Sequence, residues 1–216
     1  MTKTVFPSAE VSRQERYDHI AKAAANVVAL KGLEALSIRS AAEEAGCSKG
    51  LVEHYFKNKM GLMNAALEWV NRTYFKRLES IPDNLSGLAS LEAHIRQLLP
   101  FNKQILNEWR VRLVYWRQSS TSTELKGTQQ TRFEKVFNVL MADIEAAIEQ
   151  GEVDSDLNPI TATELIMLYV IGFATAALNS KRLRQKDSLE ARIRAIKALL
   201  TTGQLQSMAD AMGDIY

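Results

Sequence analysis

Residues Ser37 to Leu62 read SIRSAAEEAGCSKGLVEHYFKNKMGL, and the way this stretch divides decides the fold. Ser37 can cap a short helix carrying Ile38, Ala41, Ala42 and Ala45, and Gly46 can end it by taking a left-handed conformation. Two residues later Ser48 can cap a second short helix, Lys49 to about Phe56, and Asn58 can cap a long one reaching about Ser80. The alanines allow close helix crossing. Two short helices joined by a Gly-containing turn are the geometry in which a second helix enters the major groove of DNA while the first braces it against the backbone.

The rest of the chain repeats the helical theme. Upstream, Tyr17, Ile20, Ala21, Ala24, Val27 and Val28 form one apolar stripe ending near Gly32, and residues 1 to 11 are expected to be a loose arm. Downstream, Pro82 and Gly87 break the pattern, and helical stretches follow near 88–98, 102–119, 123–150, 160–179 and 187–212. Gly203 is the place where the last of these is expected to kink or divide. Proline is confined to four positions, strand signals are absent, and there is no internal repeat or low-complexity tract. The fold class expected is all-α.

A chain of 216 residues that is 46% hydrophobic and 24% charged can bury a substantial core as one large domain or two small ones. The longest apolar run, Leu165 to Leu178, is too short to cross a bilayer, and the N-terminus lacks a signal-peptide layout, so the expectation is a cytoplasmic protein away from membranes. Cys47 stands alone, which excludes an internal disulfide and a cysteine-based zinc site. The net charge of +2 sits wholly in the first 60 residues, which hold 9 Lys/Arg against 7 Asp/Glu. That placement fits a DNA-contacting end on a neutral body.

Cations flank the expected reading helix. Ser48, Lys49 and Gly50 open it, where free backbone N–H groups and the helix dipole favour a phosphate and Lys49 adds its charge. Lys57 and Lys59 follow the helix, and Arg39 lies at the start of its brace. The segment resembles the DNA-binding motif of the TetR family of bacterial repressors, in the Ala45-Gly46 turn, Ser48-Lys49-Gly50, His54-Tyr55-Phe56 and Lys59, in that family's order and spacing. The resemblance implies that Ser37, Arg39, Ser48, Lys49, His54, Tyr55 and Lys59 face DNA, chiefly its phosphates, with Gly50 and Leu51 near base edges. Two positions depart from the family pattern: Leu51 stands where threonine is frequent, and Glu53 where a DNA-contacting tyrosine is frequent. Leu51 can pack against a thymine methyl, and Glu53 can accept a hydrogen bond from cytosine N4. Glu53 can equally repel phosphates or pair with Lys49 or Lys57 on the helix surface.

The second half is similar to the BetI-like subgroup of that family, which contains the choline-responsive repressor, in Trp109 to Trp116, Asp143 to Gly151 and Gly172-Phe173. This similarity bears on membership and not on the ligand. By resemblance the chain divides into a helix-turn-helix DNA-binding domain, residues 1–60, and a helical effector-binding and dimerisation domain, residues 61–216. Ile105, Trp109, Arg112 and Trp116 fall on one helix face, and Phe101, Phe137, Tyr169 and Phe173 can join them around a cavity or serve as plain core. An aromatic cage for a quaternary ammonium is one reading. Arg112 opposes it unless paired, for example with Glu108, and leaves an anionic or amphipathic effector equally open. The partners implied are a double-stranded DNA operator, an unidentified small-molecule effector, and a second copy of the chain paired through the last two helices.

Catalysis is not indicated. There is no phosphate-cradling glycine loop, no metal spacing among His19, His54 and His94, and no assembled nucleophile with base, so neither cofactor nor metal is expected. His54 reads as a phosphate contact or packing residue. The rival function is a DNA-bridging or nucleoid protein of the same fold without an effector.

Overall fold

The computed structural model describes residues 12–120 and 123–212, so the expected arm at residues 1–11 lies outside the described residues. Ten α-helices and two 3-10 turns run through them, with no strand among the described residues. In chain order the helices are α1 (Arg13–Lys31), α2 (Ile38–Ala45), α3 (Lys49–Tyr55), α4 (Lys59–Leu78), α5 (Gly87–Leu98), α6 (Lys103–Ser119), α7 (Thr123–Glu149), α8 (Pro159–Asn179), α9 (Lys186–Thr201) and α10 (Gln204–Met212). The helix expected over 187–212 is thus divided, at Gly203.

The described residues group into two compact units. One comprises those up to Lys76 with those of Asn107–Thr123; the other comprises Arg77–Leu106 and those from Glu124 onward. In the first unit α1 buries Ile20, Ala21, Ala24, Val27 and Val28, and packs on α2, which buries Ala41, Ala42 and Ala45. Small side chains on both helices let the backbones approach closely. From α3 only Val52 is buried, at 0% exposure, so one side chain anchors the second short helix. The buried face of α4 carries Leu62, Ala66, Val70 and Tyr74.

In the second unit α5 packs with α8 and α9, and α10 with both of those. Glu152 places Oε2 2.7 Å from the Leu88 N–H and so satisfies an otherwise orphaned donor in the first turn of α5. Arg96 of α5 grips Glu190 of α9 through two 2.7 Å hydrogen bonds and also takes Glu92 of its own helix. On α9, Leu189, Ile193, Ile196 and Leu200 are buried within the protomer.

One expectation needs correction. Counted from its cap, α8 has 21 residues and is long and apolar enough, by length and composition, to cross a bilayer. Asn158 caps it and Pro159 occupies its first turn, so it starts before the apolar run read from sequence. Thr163 and Thr175 do not interrupt it, because each hydroxyl donates to the carbonyl one turn back, at 2.7 Å. The core helix of a soluble protein has the same length and composition, and 44% of the most apolar 18-residue stretch of this one is buried against the fold.

Candidate nucleic-acid interface

The three-helix body is built by local rules. Ser37 Oγ accepts from the Ser40 N–H at 3.0 Å while Ser40 Oγ accepts from the Ser37 N–H at 2.9 Å, a reciprocal cap that starts α2. Gly46 ends α2 at φ 63°, a left-handed position that a side chain would strain. Ser48 Oγ accepts from Leu51 N–H at 3.2 Å and starts α3, and Asn58 Oδ1 accepts from Gly61 N–H at 2.8 Å at the head of α4. The turn between α2 and α3 is therefore set by residues that also lie on the expected DNA face.

Ser37, Arg39, Ser48, Lys49, Gly50, Glu53, His54, Lys57 and Lys59 are exposed, and Leu51 and Tyr55 are half-buried. A groove of about 170 Å³ runs between the two short helices, lined by Arg39, Ala42, Glu43, Gly46, Cys47 and Lys49. Arg39 and Lys49 thus share one groove although they are on different helices. Burial pushes the Cys47 thiol above its ordinary value, which keeps it protonated and weakly nucleophilic. Glu53 pairs with Lys49 at 2.9 Å, the helix-surface pair that their spacing allows.

The body is clamped to the long helix by contacts that no local pattern in the sequence announces. Tyr17 donates to Glu68 at 3.2 Å, and Arg72 meets Asp18 at 2.5 Å, tying α1 to α4 twice. Burial, and the Glu68 carboxylate beside it, push the Tyr17 hydroxyl above its ordinary value, so it remains a donor. The Tyr17 ring also lies 5.0 Å from that of Phe56 and 6.4 Å, edge-on, from that of Tyr55. Behind this, His19 Nε2 donates to the Ala45 carbonyl at 2.8 Å and sits against the end of α2. The aromatic pair closing α3, α1 and α4 are joined through one tyrosine.

The residues expected to line an effector cavity are distributed over both units. In the first unit Trp109 and Arg112 are buried, and Trp116 sets its ring edge-on to Trp109 at 5.9 Å. Arg112 lies 3.6 Å from the buried Glu108 carboxylate, with its guanidinium 5.4 Å from the Trp109 ring and 5.8 Å from that of Tyr74. This buried cation has a carboxylate partner, which removes the objection to a cationic effector that an unpaired arginine would raise. In the second unit Ile105 is buried, Phe101 lies under Arg96 at 5.5 Å, and Phe173 under Arg192 at 5.3 Å, while Phe137 and Tyr169 are half-buried. Among the described residues no cluster of three or more His, Cys, Asp or Glu side chains could hold a metal ion.

Comparison with known proteins agrees with this architecture. Residues 20–66 match the family of bacterial regulatory proteins called tetR, and residues 88–202 match the C-terminal domain of BetI-type transcriptional repressors. The HTH-type transcriptional regulator BetI of Vibrio campbellii is 29% identical over 149 residues, covering 64% of this chain and 71% of that protein. A transcriptional regulator from Rhodococcus superposes with a TM-score of 0.74 at 24% identity, over 87% of this chain and 96% of that one. Another, from Saccharomonospora viridis in complex with choline, superposes with a TM-score of 0.76 at 19% identity, again over 87% and 96%. At these identities the two structures speak to the fold alone.

Proposed function

The chain belongs to the TetR family of bacterial transcriptional regulators, with a C-terminal domain of the BetI repressor type, and from that premise we propose how it works. It is a DNA-binding regulator that acts as a homodimer on a palindromic operator and releases it when a small molecule binds the helical domain. Residues 1–60 read DNA, and residues 61–216 sense the effector and pair the subunits. The observation that carries the reading is the groove between α2 and α3, where Arg39 and Lys49 from two helices converge on an exposed face. Arg39, Lys49, Lys57 and Lys59 meet phosphates, with the hydroxyls of Ser37, Ser48 and Tyr55 and the ring of His54 beside them. Gly50, Leu51 and Glu53 lie near base edges.

Dimerisation through α8 is supported by its outer face, where Leu168 is 61% exposed in a line with Leu165, Gly172 and Ala176. On α9, Leu189, Ile193, Ile196 and Leu200 are buried within the protomer and Leu199 is half-buried, so α8 offers the larger share of the apolar surface. A symmetric dimer matches a palindromic site. Because Tyr17–Glu68 and Asp18–Arg72 join α1 to α4, a shift of α4 carries the reading body with it. The effector then acts only through its difference in affinity for the two spacings of the reading helices, so effector and operator weaken each other reciprocally. Its chemistry is left open: the choline held by the Saccharomonospora viridis protein makes a cation one candidate, alongside an anionic or amphipathic molecule. A cytoplasmic location goes with this reading. Selection of bound fragments from random duplex DNA at near-physiological salt tests it. Enrichment of a palindrome is the expected outcome, and folded protein that enriches nothing refutes sequence-specific reading.

A further inference from the structure

Three of the cations assigned to phosphates are already held by carboxylates of the same protomer. Arg39 Nε lies 2.9 Å from Glu43 Oε1, Lys49 Nζ 2.9 Å from Glu53 Oε1, and Lys59 Nζ 3.6 Å from Glu34 Oε2. Among the described residues Lys57, exposed just after α3, has no such partner. Helix stability does not account for this arrangement. A pair four residues apart is more favourable with the acid first, and both helical pairs run cation first. The helix dipole favours anions at the start and cations at the end. Here Arg39 and Lys49 stand in the first turns of α2 and α3, and Glu43 and Glu53 in the last. All four charges are at the ends that local energetics disfavour, and such departures concentrate where function sets the residue.

We propose that Glu43 and Glu53, with a smaller contribution from Glu34, are affinity-attenuating residues of the DNA interface. Binding is an exchange: each cation leaves its carboxylate for a phosphate, and the released carboxylate stays beside the duplex as a like charge. The sequence-independent part of DNA affinity comes from cations that displace counterions from phosphates. A carboxylate that loses its internal partner takes up a counterion again, so each exchange both weakens binding and flattens its salt dependence. The effect is to hold down binding to arbitrary DNA on a face that must still approach the backbone closely. It rests on the DNA-reading function given above.

The test uses the full-length protein and a short duplex of mixed sequence, with Kd measured across a sodium chloride series. The variants are Glu43→Gln, Glu53→Gln and the two together. Glu145→Gln, at an exposed position on α7, is the control for net charge. A surface pair of this kind shifts an equilibrium by about 1.5- to 5-fold, so each single variant binds tighter by about that factor and the double by about their product. The slope of log K against log salt steepens by up to about 0.9 per variant. In an Arg39→Gln background the gain from Glu43→Gln shrinks, because the carboxylate no longer withholds a cation. Variants that match Glu145→Gln in Kd and slope overturn the proposal while leaving DNA reading intact, and a gain undiminished by Arg39→Gln overturns the exchange in favour of plain repulsion. If neither wild type nor variants bind any duplex at low salt, the DNA-reading function itself fails and the proposal falls with it.

Discussion

Replacing Gly87 by alanine is expected to loosen the second unit by an amount that the geometry around the head of α5 sets. Gly87 sits at φ 57°, where an L side chain costs about 1 kcal/mol. A Cβ there would also fall inside contact distance of Glu152 Oε2. That carboxylate is the free end of a flexible side chain, so it retreats and the backbone stays. Lost with it is the 2.7 Å hydrogen bond to the Leu88 N–H, a bond to a charged acceptor worth about 1.5 kcal/mol or somewhat more. The total is about 2.5 kcal/mol, or a fall of about 5–10 °C in Tm for a chain of this size. Glu152→Ala alone removes the same hydrogen bond and costs about 1.5 kcal/mol. Because either substitution abolishes one shared bond, the double variant should cost about 2.5 kcal/mol, well short of the additive value of about 4. Thermal unfolding followed by circular dichroism, at one protein concentration for all four proteins, reads these differences. Additive costs, or a Gly87→Ala protein that melts with the wild type, would refute the reasoning.

Three further outcomes bear on function and stability. Lys49→Ala should weaken binding to every duplex and flatten the salt slope by less than the ~0.9 expected of Lys57→Ala, since removing Lys49 leaves Glu53 with no partner to release. Salt titration of both variants checks this, and equal slopes speak against it. Leu168→Glu should turn a dimer into a folded monomer in sedimentation equilibrium, because it places a charge on the exposed apolar face of α8; an unchanged mass removes that face from the interface. Acid sensitivity should trace to Arg96. Its hydrogen bonds hold the Glu190 carboxyl below the ordinary 4.5, and although burial raises Glu92, hydrogen bonds from Arg96 and Lys197 bring it below as well. Groups lowered in the folded state stabilise it above their unfolded values and lose that contribution as pH falls through the lowered ones. The drop in Tm between about pH 5 and pH 3 should therefore be smaller for Arg96→Gln than for wild type, and an equal drop would sink this assignment.

Much of the candidate interface was legible because its geometry is local. Ser37, Ser48 and Asn58 each cap the helix that follows them, Gly46 ends α2 and Gly203 divides the last helical stretch, all through hydrogen bonds and dihedrals that span a few residues. The pairing of Lys49 with Glu53 is legible in the same way, since spacing alone makes the two neighbours, and Arg39 with Glu43 follows the same spacing. The extent of α8, expected near 160–179, agrees with Pro159–Asn179 to one residue, because Asn158 caps it locally; its span is longer than the apolar run Leu165 to Leu178 that it contains.

By itself the sequence marked nine helical stretches close to their observed bounds, the last divisible at Gly203, together with the family and the exposed cations proposed to meet DNA. Each of these depends on short-range preference or on a linear motif. Tertiary structure alone decided that Asp18 meets Arg72, that Arg96 meets Glu190, and that the Arg112–Glu108 pair, which its spacing already allows, is buried with the guanidinium against the rings of Trp109 and Tyr74. It also decided that Ile193 and Ile196 face inward while Leu168 does not. An apolar stripe records that a helix must bury a face and is silent on which neighbour covers it. That choice is made by the packing of side chains far apart in the chain, and the periodicity of one helix carries no information about it.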